Sequence, residues 1–171
     1  MGLDAQVFCD CIEKGRLRTP HPFPERLYVD VDEDGRPEVR VNDLPEAYSV
    51  VEQAHDEWLL NSPCEHGKCV LVAHYLGNIG LVAALRGAVD LLLNDQTDVP
   101  VLRQKVIYSG IHCGDRLNRD QVELLAPELR ELEQRDWSKL KRHDAALLRD
   151  FITQMNELIA ASRSVEKPIA F

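Results

Sequence analysis

Val70-Leu-Val-Ala-His-Tyr75-Leu-Gly77-Asn78-Ile-Gly80-Leu-Val-Ala-Ala-Leu85-Arg-Gly-Ala-Val-Asp90-Leu-Leu-Leu93 is the stretch on which the fold turns. Val70–Tyr75 is a short β-branched run that reads as a buried strand. Gly77-Asn78 breaks it, and an Asn side chain can accept the first N–H groups of a helix. Leu81, Val82, Leu85, Val89, Leu92 and Leu93 then recur at helical spacing, which predicts a core helix from Asn78 to about Leu93. A strand feeding directly into a capped helix implies helices layered on a sheet.

Toward the N-terminus, residues 5–11 alternate in character. They predict a strand with Val7, Cys9 and Cys11 on one face and Gln6, Phe8 and Asp10 on the other. Pro20, Pro22 and Pro24 fix φ and remove donors, so residues 18–26 read as an extended loop with His21 exposed. Leu27–Val31 and Glu38–Val41 flank Asp32-Glu-Asp-Gly35 and read as a hairpin. Ser49-Val-Val-Glu52 has the spacing of a capping box. With Val50, Val51, Ala54, Trp58 and Leu59 it predicts a helix from Ser49 to Leu60, stopped by Asn61 and Pro63.

Toward the C-terminus, Lys105–Tyr108 predicts another strand and Ser109–Asp115 a turn-rich loop. Asn118-x-x-Gln121 is a capping box opening a helix, which Pro127 is expected to kink or split. Leu148, Phe151, Ile152, Met155, Leu158, Ile159 and Ser162 share one face of the last helix. The apolar tail, Lys167-Pro-Ile-Ala-Phe171, is expected to add an edge strand. Trp58 and Trp137 read as packing anchors, and Lys139 to His143 as a solvated face. The order predicts an α+β (mixed α/β) fold. A single layer-type domain over 1–171 would have a small mixed sheet covered by about four or five helices.

The 20 Lys and Arg against 29 Asp and Glu give a net charge of −9. Such a surface repels phosphate backbones and anionic membranes, so neither nucleic acid nor membrane is an expected partner. It serves solubility, and it attracts a basic protein partner. The opening Met1-Gly-Leu-Asp-Ala-Gln6 lacks a basic stretch followed by an apolar run, which predicts a cytoplasmic chain. The five cysteines, Cys9, Cys11, Cys64, Cys69 and Cys113, are odd in number and read as reduced thiols.

Two groups of residues could carry chemistry. Cys9-x-Cys11 and Cys64-x-His66-x-x-Cys69 offer five thiolate or imidazole donors of the kind zinc prefers. On a regular strand Cys9 and Cys11 would stand ~7 Å apart, too far for one ion unless a bulge or turn intervenes. The loop donors are better placed, because Gly67 can turn Cys64, His66 and Cys69 together. The competing reading makes Cys9 and Cys11 small buried core residues. The second group is His112, Cys113 and Asp115. Cys113 could act as nucleophile with His66, His74 or His143 as base, since the neighbouring His112 side chain points away. Its competing reading is a tight connection in which Gly110 and Gly114 supply φ > 0. No nucleophile elbow, phosphate loop, dinucleotide fingerprint or H-E-x-x-H is present.

Met1-Gly-Leu-Asp-Ala-x-Val-Phe-Cys-Asp-Cys11, Cys64-Glu-His66, Leu76-Gly-Asn-Ile79, Tyr108-Ser-Gly-x-His-Cys-Gly-Asp115 and Lys167-Pro-Ile-x-Phe171 span most of the chain. Together they resemble a group of uncharacterised small bacterial cytoplasmic proteins. The resemblance implies a bacterial origin and brings no activity with it. The expected function is a protein-binding module, such as an immunity- or antitoxin-type inhibitor or an accessory factor. The alternatives are a small zinc- or thiol-dependent enzyme, with a site near Cys64–Cys69 and Ser109–Asp115, and a binding protein with a structural zinc site.

Overall fold

The computed structural model describes residues 2–23, 27–31, 37–41, 45–93, 99–109 and 115–171. Its strands are β1 (Gly2–Phe8), β2 (Leu27–Val31), β3 (Pro37–Val41), β4 (Val70–Asn78), β5 (Arg116–Leu117) and β6 (Ile169–Ala170). Its α-helices are α1 (Pro45–Leu60), α2 (Ile79–Leu92), α3 (Arg119–Glu133) and α4 (Arg142–Val165). The fold is α+β, with a four-stranded sheet in the order β4-β1-β6-β5 and a separate β2-β3 hairpin. The contacts divide the chain into two units, Met1–Gln6 with Val72–Phe171, and Val7–Leu71.

The predicted strand-to-helix passage is present, but Val70–Tyr75 is half-buried to exposed rather than buried. The Asn78 side chain accepts from the N–H groups of Gly80 and Leu81, both at 3.0 Å, and so opens α2. Gly77 holds φ +143, and a Cβ there would lie 2.7 Å from that of Leu81. The turn therefore requires glycine. Helices α2 and α3 pack on α4, whose inward residues Leu148, Phe151, Ile152, Met155, Leu158, Ile159 and Ser162 are all buried, as their spacing predicts. The Asn118/Gln121 capping box is formed in both directions.

Three expectations change in the first unit. Lys105–Tyr108 is not a strand: Leu102–Val106 forms a π-helical turn, in which the N–H of Ile107 donates to the Leu102 carbonyl at 2.9 Å. The buried Glu128 carboxylate accepts from the N–H groups of Val101 and Leu102 at 3.1 and 2.7 Å. A tertiary cap from α3 thus overrides local β propensity. Pro127 lies inside α3 without dividing it. The lost backbone bond is outweighed by a buried face of Val122, Leu125, Leu129 and Leu132. The tail strand is not at an edge. β6 pairs antiparallel with both β1 and β5, which buries Ile169 and Ala170. Trp137 is half-buried: its indole N–H donates to the Leu132 carbonyl at 2.8 Å and the Arg149 guanidinium lies 5.5 Å from its ring centre.

In the unit Val7–Leu71, β2 and β3 pair antiparallel in the register Leu27↔Val41 to Val31↔Pro37, and α1 packs on β3. The helix begins at Pro45, four residues before the predicted start. Proline suits a first helical position, where its missing N–H is not needed. Ser49 consequently lies within the helix and is not its cap. The buried face is Val51, His55 and Trp58, while Val50 is exposed. β1 ends at Phe8, so Cys9 and Cys11 are not strand residues.

Candidate metal centre

Where β1 ends, the N–H of Cys9 donates to the Cys69 carbonyl at 2.7 Å, outside the sheet ladder. The chain then turns through residues 10–15. Lys14 N–H bonds the Asp10 carbonyl at 3.0 Å, Gly15 takes φ +63, and Arg16 N–H returns to the Cys11 carbonyl at 2.7 Å. Asp10 is buried between the two cysteines and paired with Lys14 and Arg16, which hold its carboxyl below the usual range. This turn removes the ~7 Å separation that a regular strand would impose on Cys9 and Cys11.

The second arm is the loop after α1. Gly67 takes φ +64 and its N–H donates to the Cys64 carbonyl at 3.2 Å. The arms are tied by backbone bonds from Arg18 and Thr19 to the Pro63 carbonyl at 2.7 and 3.3 Å. The result is convergence. The donor atoms of Cys9, Cys11, Cys64 and His66 all lie within 4.8 Å of one another. Cys9 Sγ is 3.7 Å from Cys64 Sγ, and Cys11 Sγ is 3.3 Å from His66 Nδ1. Tetrahedral zinc, with Zn–S ~2.3 Å and Zn–N ~2.0–2.1 Å, needs edges of ~3.8 Å for S···S and ~3.6 Å for S···N. Both observed separations fall within a few tenths of an ångström of these. The second nitrogen of His66, Nε2, lies 4.0 Å from the Glu65 carboxylate, so Nδ1 is the atom offered to an ion.

The three cysteines of this set are no more than 2 % exposed. The Cys9 thiol is pushed up by its hydrogen bond with Cys69 and by burial; burial also raises Cys11 and Cys64. Such thiols stay protonated at neutral pH and are poor nucleophiles. A divalent cation reverses that balance, because it supplies the charge that burial withholds.

Cys69 is completely buried in the same cluster, 3.9 Å from Cys64 Sγ, but lies outside the four-donor set. Asp115 accepts from the Tyr108 hydroxyl, and its carbonyl accepts from Phe171 N–H at 2.9 Å. His112 and Cys113 lie outside the described residues. His74 pairs with Glu157 at 2.7 Å, and His143 is exposed.

One histidine pair was not foreseen. His21 is buried rather than exposed. Its Nε2 is 3.4 Å from His55 Nδ1, and its ring centre is 4.9 Å from that of Trp58. Phe23 N–H donates to His21 Nδ1 at 3.1 Å, and Trp58 Nε1–H donates to the Thr19 carbonyl at 2.9 Å. The signal was available: Val51, His55 and Trp58 follow helical spacing, so His55 faces inward and gives the proline segment a polar partner.

Among the described residues, no helix is long and apolar enough to cross a membrane. No protein-family model, curated protein or solved structure matches the chain.

Proposed function

We propose that this chain is a zinc-stapled binding protein, in which Cys9, Cys11, Cys64 and His66 hold one structural ion and the molecule engages a partner. The observation that carries the reading is the convergence of four soft donors from two separate loops within 4.8 Å. Structural zinc takes four protein ligands, whereas catalytic zinc keeps a position open for water. Four donors, three of them buried, favour the closed kind. A unit confined to Val7–Leu71 also falls in the range, below roughly 70–80 residues, where a core alone rarely suffices and a metal supplies folding energy.

The partner follows from charge. At −9, the chain associates faster with a basic protein surface, in the manner of a cytoplasmic inhibitor or accessory factor. The raised thiols weigh against a cysteine-nucleophile enzyme at the cluster.

Metal analysis of the purified chain tests the first half. The expected result is ~1 zinc per chain, falling to a small fraction in Cys11→Ser and Cys64→Ser. Less than ~0.2 zinc per chain after refolding with excess metal contradicts it. Capture from a bacterial lysate at low and high salt tests the second half. A stoichiometric basic protein, released as salt rises, is expected; an acidic or salt-indifferent partner contradicts it.

A further inference from the structure

The cluster holds one donor more than a four-coordinate ion needs. Cys69 stands on the same loop as His66, three residues on, and is completely buried. Its sulfur is 3.9 Å from Cys64 Sγ and hydrogen-bonded to Cys9. The first distance already matches the ~3.8 Å S···S edge of a zinc tetrahedron. Its backbone is fixed from both directions: the carbonyl accepts the Cys9 N–H at 2.7 Å, and φ is +63, a left-handed conformation uncommon for a side chain other than glycine. His66, by contrast, is the ligand nearest water, with its side chain 25 % exposed.

We propose that Cys69 is a reserve ligand: Cys9, Cys11 and Cys64 hold the ion permanently, and Cys69 takes the fourth position when His66 leaves it. This rests on the metal reading above and concerns only the fourth ligand. The imidazole holds the position at rest because three thiolates and a neutral ring leave the zinc centre with one negative charge. Four thiolates leave two, which costs more in a buried site. Arg16, whose charge acts on Cys11, offsets part of that cost. In the exchange the Cys69 thiol gives its proton to solvent as its sulfur bonds the ion, and His66 Nδ1 gives up its metal bond; no electron is transferred. The site can then open on its exposed side without releasing the ion.

Cobalt(II) titration of the full chain reads the ligand count, since charge-transfer absorption grows with the number of bound thiolates. Wild type and Cys69→Ala should show the same three-thiolate spectrum. His66→Ala should still bind one cobalt, more weakly, with charge-transfer intensity higher by roughly a third, as four thiolates replace three. His66→Ala/Cys69→Ala should bind cobalt more weakly than either single variant and with three-thiolate intensity only, water filling the fourth position. His66→Phe, of similar bulk and without a donor, guards against a folding defect of the alanine variant and should behave like His66→Ala. The proposal is overturned if the His66 single variants bind no cobalt or cannot fold with cobalt in excess. It is equally overturned if they keep three-thiolate intensity, or if wild type already shows four. A wild type that binds no cobalt is a different failure, that of the metal reading itself.

Discussion

Single side chains set the chemistry of the unit Val7–Leu71, and His21 shows how. With Nδ1 accepting from Phe23 N–H, its proton resides on Nε2, facing His55. Burial first, and the charge of His55 second, lower its pKa from 6.5 to about 4. The unfolded chain therefore takes up this proton before the folded one. The contribution is complete above pH 6.5 and is lost as pH falls toward 4, by up to about 3 kcal/mol. Denaturant melts of wild type and His21→Gln across pH 4–7 should diverge in slope, since protonation of the candidate metal ligands is common to both. Parallel slopes would remove His21 as the cause. The types of the candidate ligands could be read from the sequence: Cys9, Cys11, Cys64 and His66 are soft donors in close spacing. Their geometry could not. The break of β1 after Phe8 depends on a hydrogen bond between Cys9 and Cys69, partners 60 positions apart in the numbering, which no local pattern contains.

Among the elements, those specified by their own residues are the ones that sequence predicts. Asn78 caps α2, Asn118 and Gln121 cap α3, and α4 buries the apolar face that its period announces. Elements specified from a distance are not. The π-helical turn at Leu102–Val106 depends on Glu128, and the interior place of β6 depends on two strands remote in sequence. Glu128→Ala leaves two backbone N–H groups without their carboxylate and should lower stability by about 2–4 kcal/mol. Glu123→Ala, also in α3, removes an exposed ion pair with Arg163 of α4 and should change it little. Thermal melts of the two variants check this; equal losses would mean that Glu128 is not the organising cap. Gly77→Ala should also destabilise, by roughly 1–3 kcal/mol, because φ +143 and the Leu81 side chain both exclude a Cβ.

For the whole molecule, the α+β class was legible because patterned segments outnumber those fixed by remote partners. The division into two units was not, because no change of composition or linker marks it. The proposed metal staple, confined to Val7–Leu71, would make stability uneven along the chain. Chelation should raise hydrogen exchange in α1 and in the cysteine loops while the central turns of α4 stay protected. Equal loss of protection in both regions would argue that the ion supports the entire chain rather than one unit.

X-ray absorption at the zinc edge of the purified, zinc-loaded chain addresses the ligand set without mutation. The proposed site predicts about three sulfurs at ~2.3 Å and one imidazole nitrogen at ~2.0–2.1 Å. A shell of oxygens and nitrogens without sulfur, or a chain that cannot be loaded with zinc, contradicts the account.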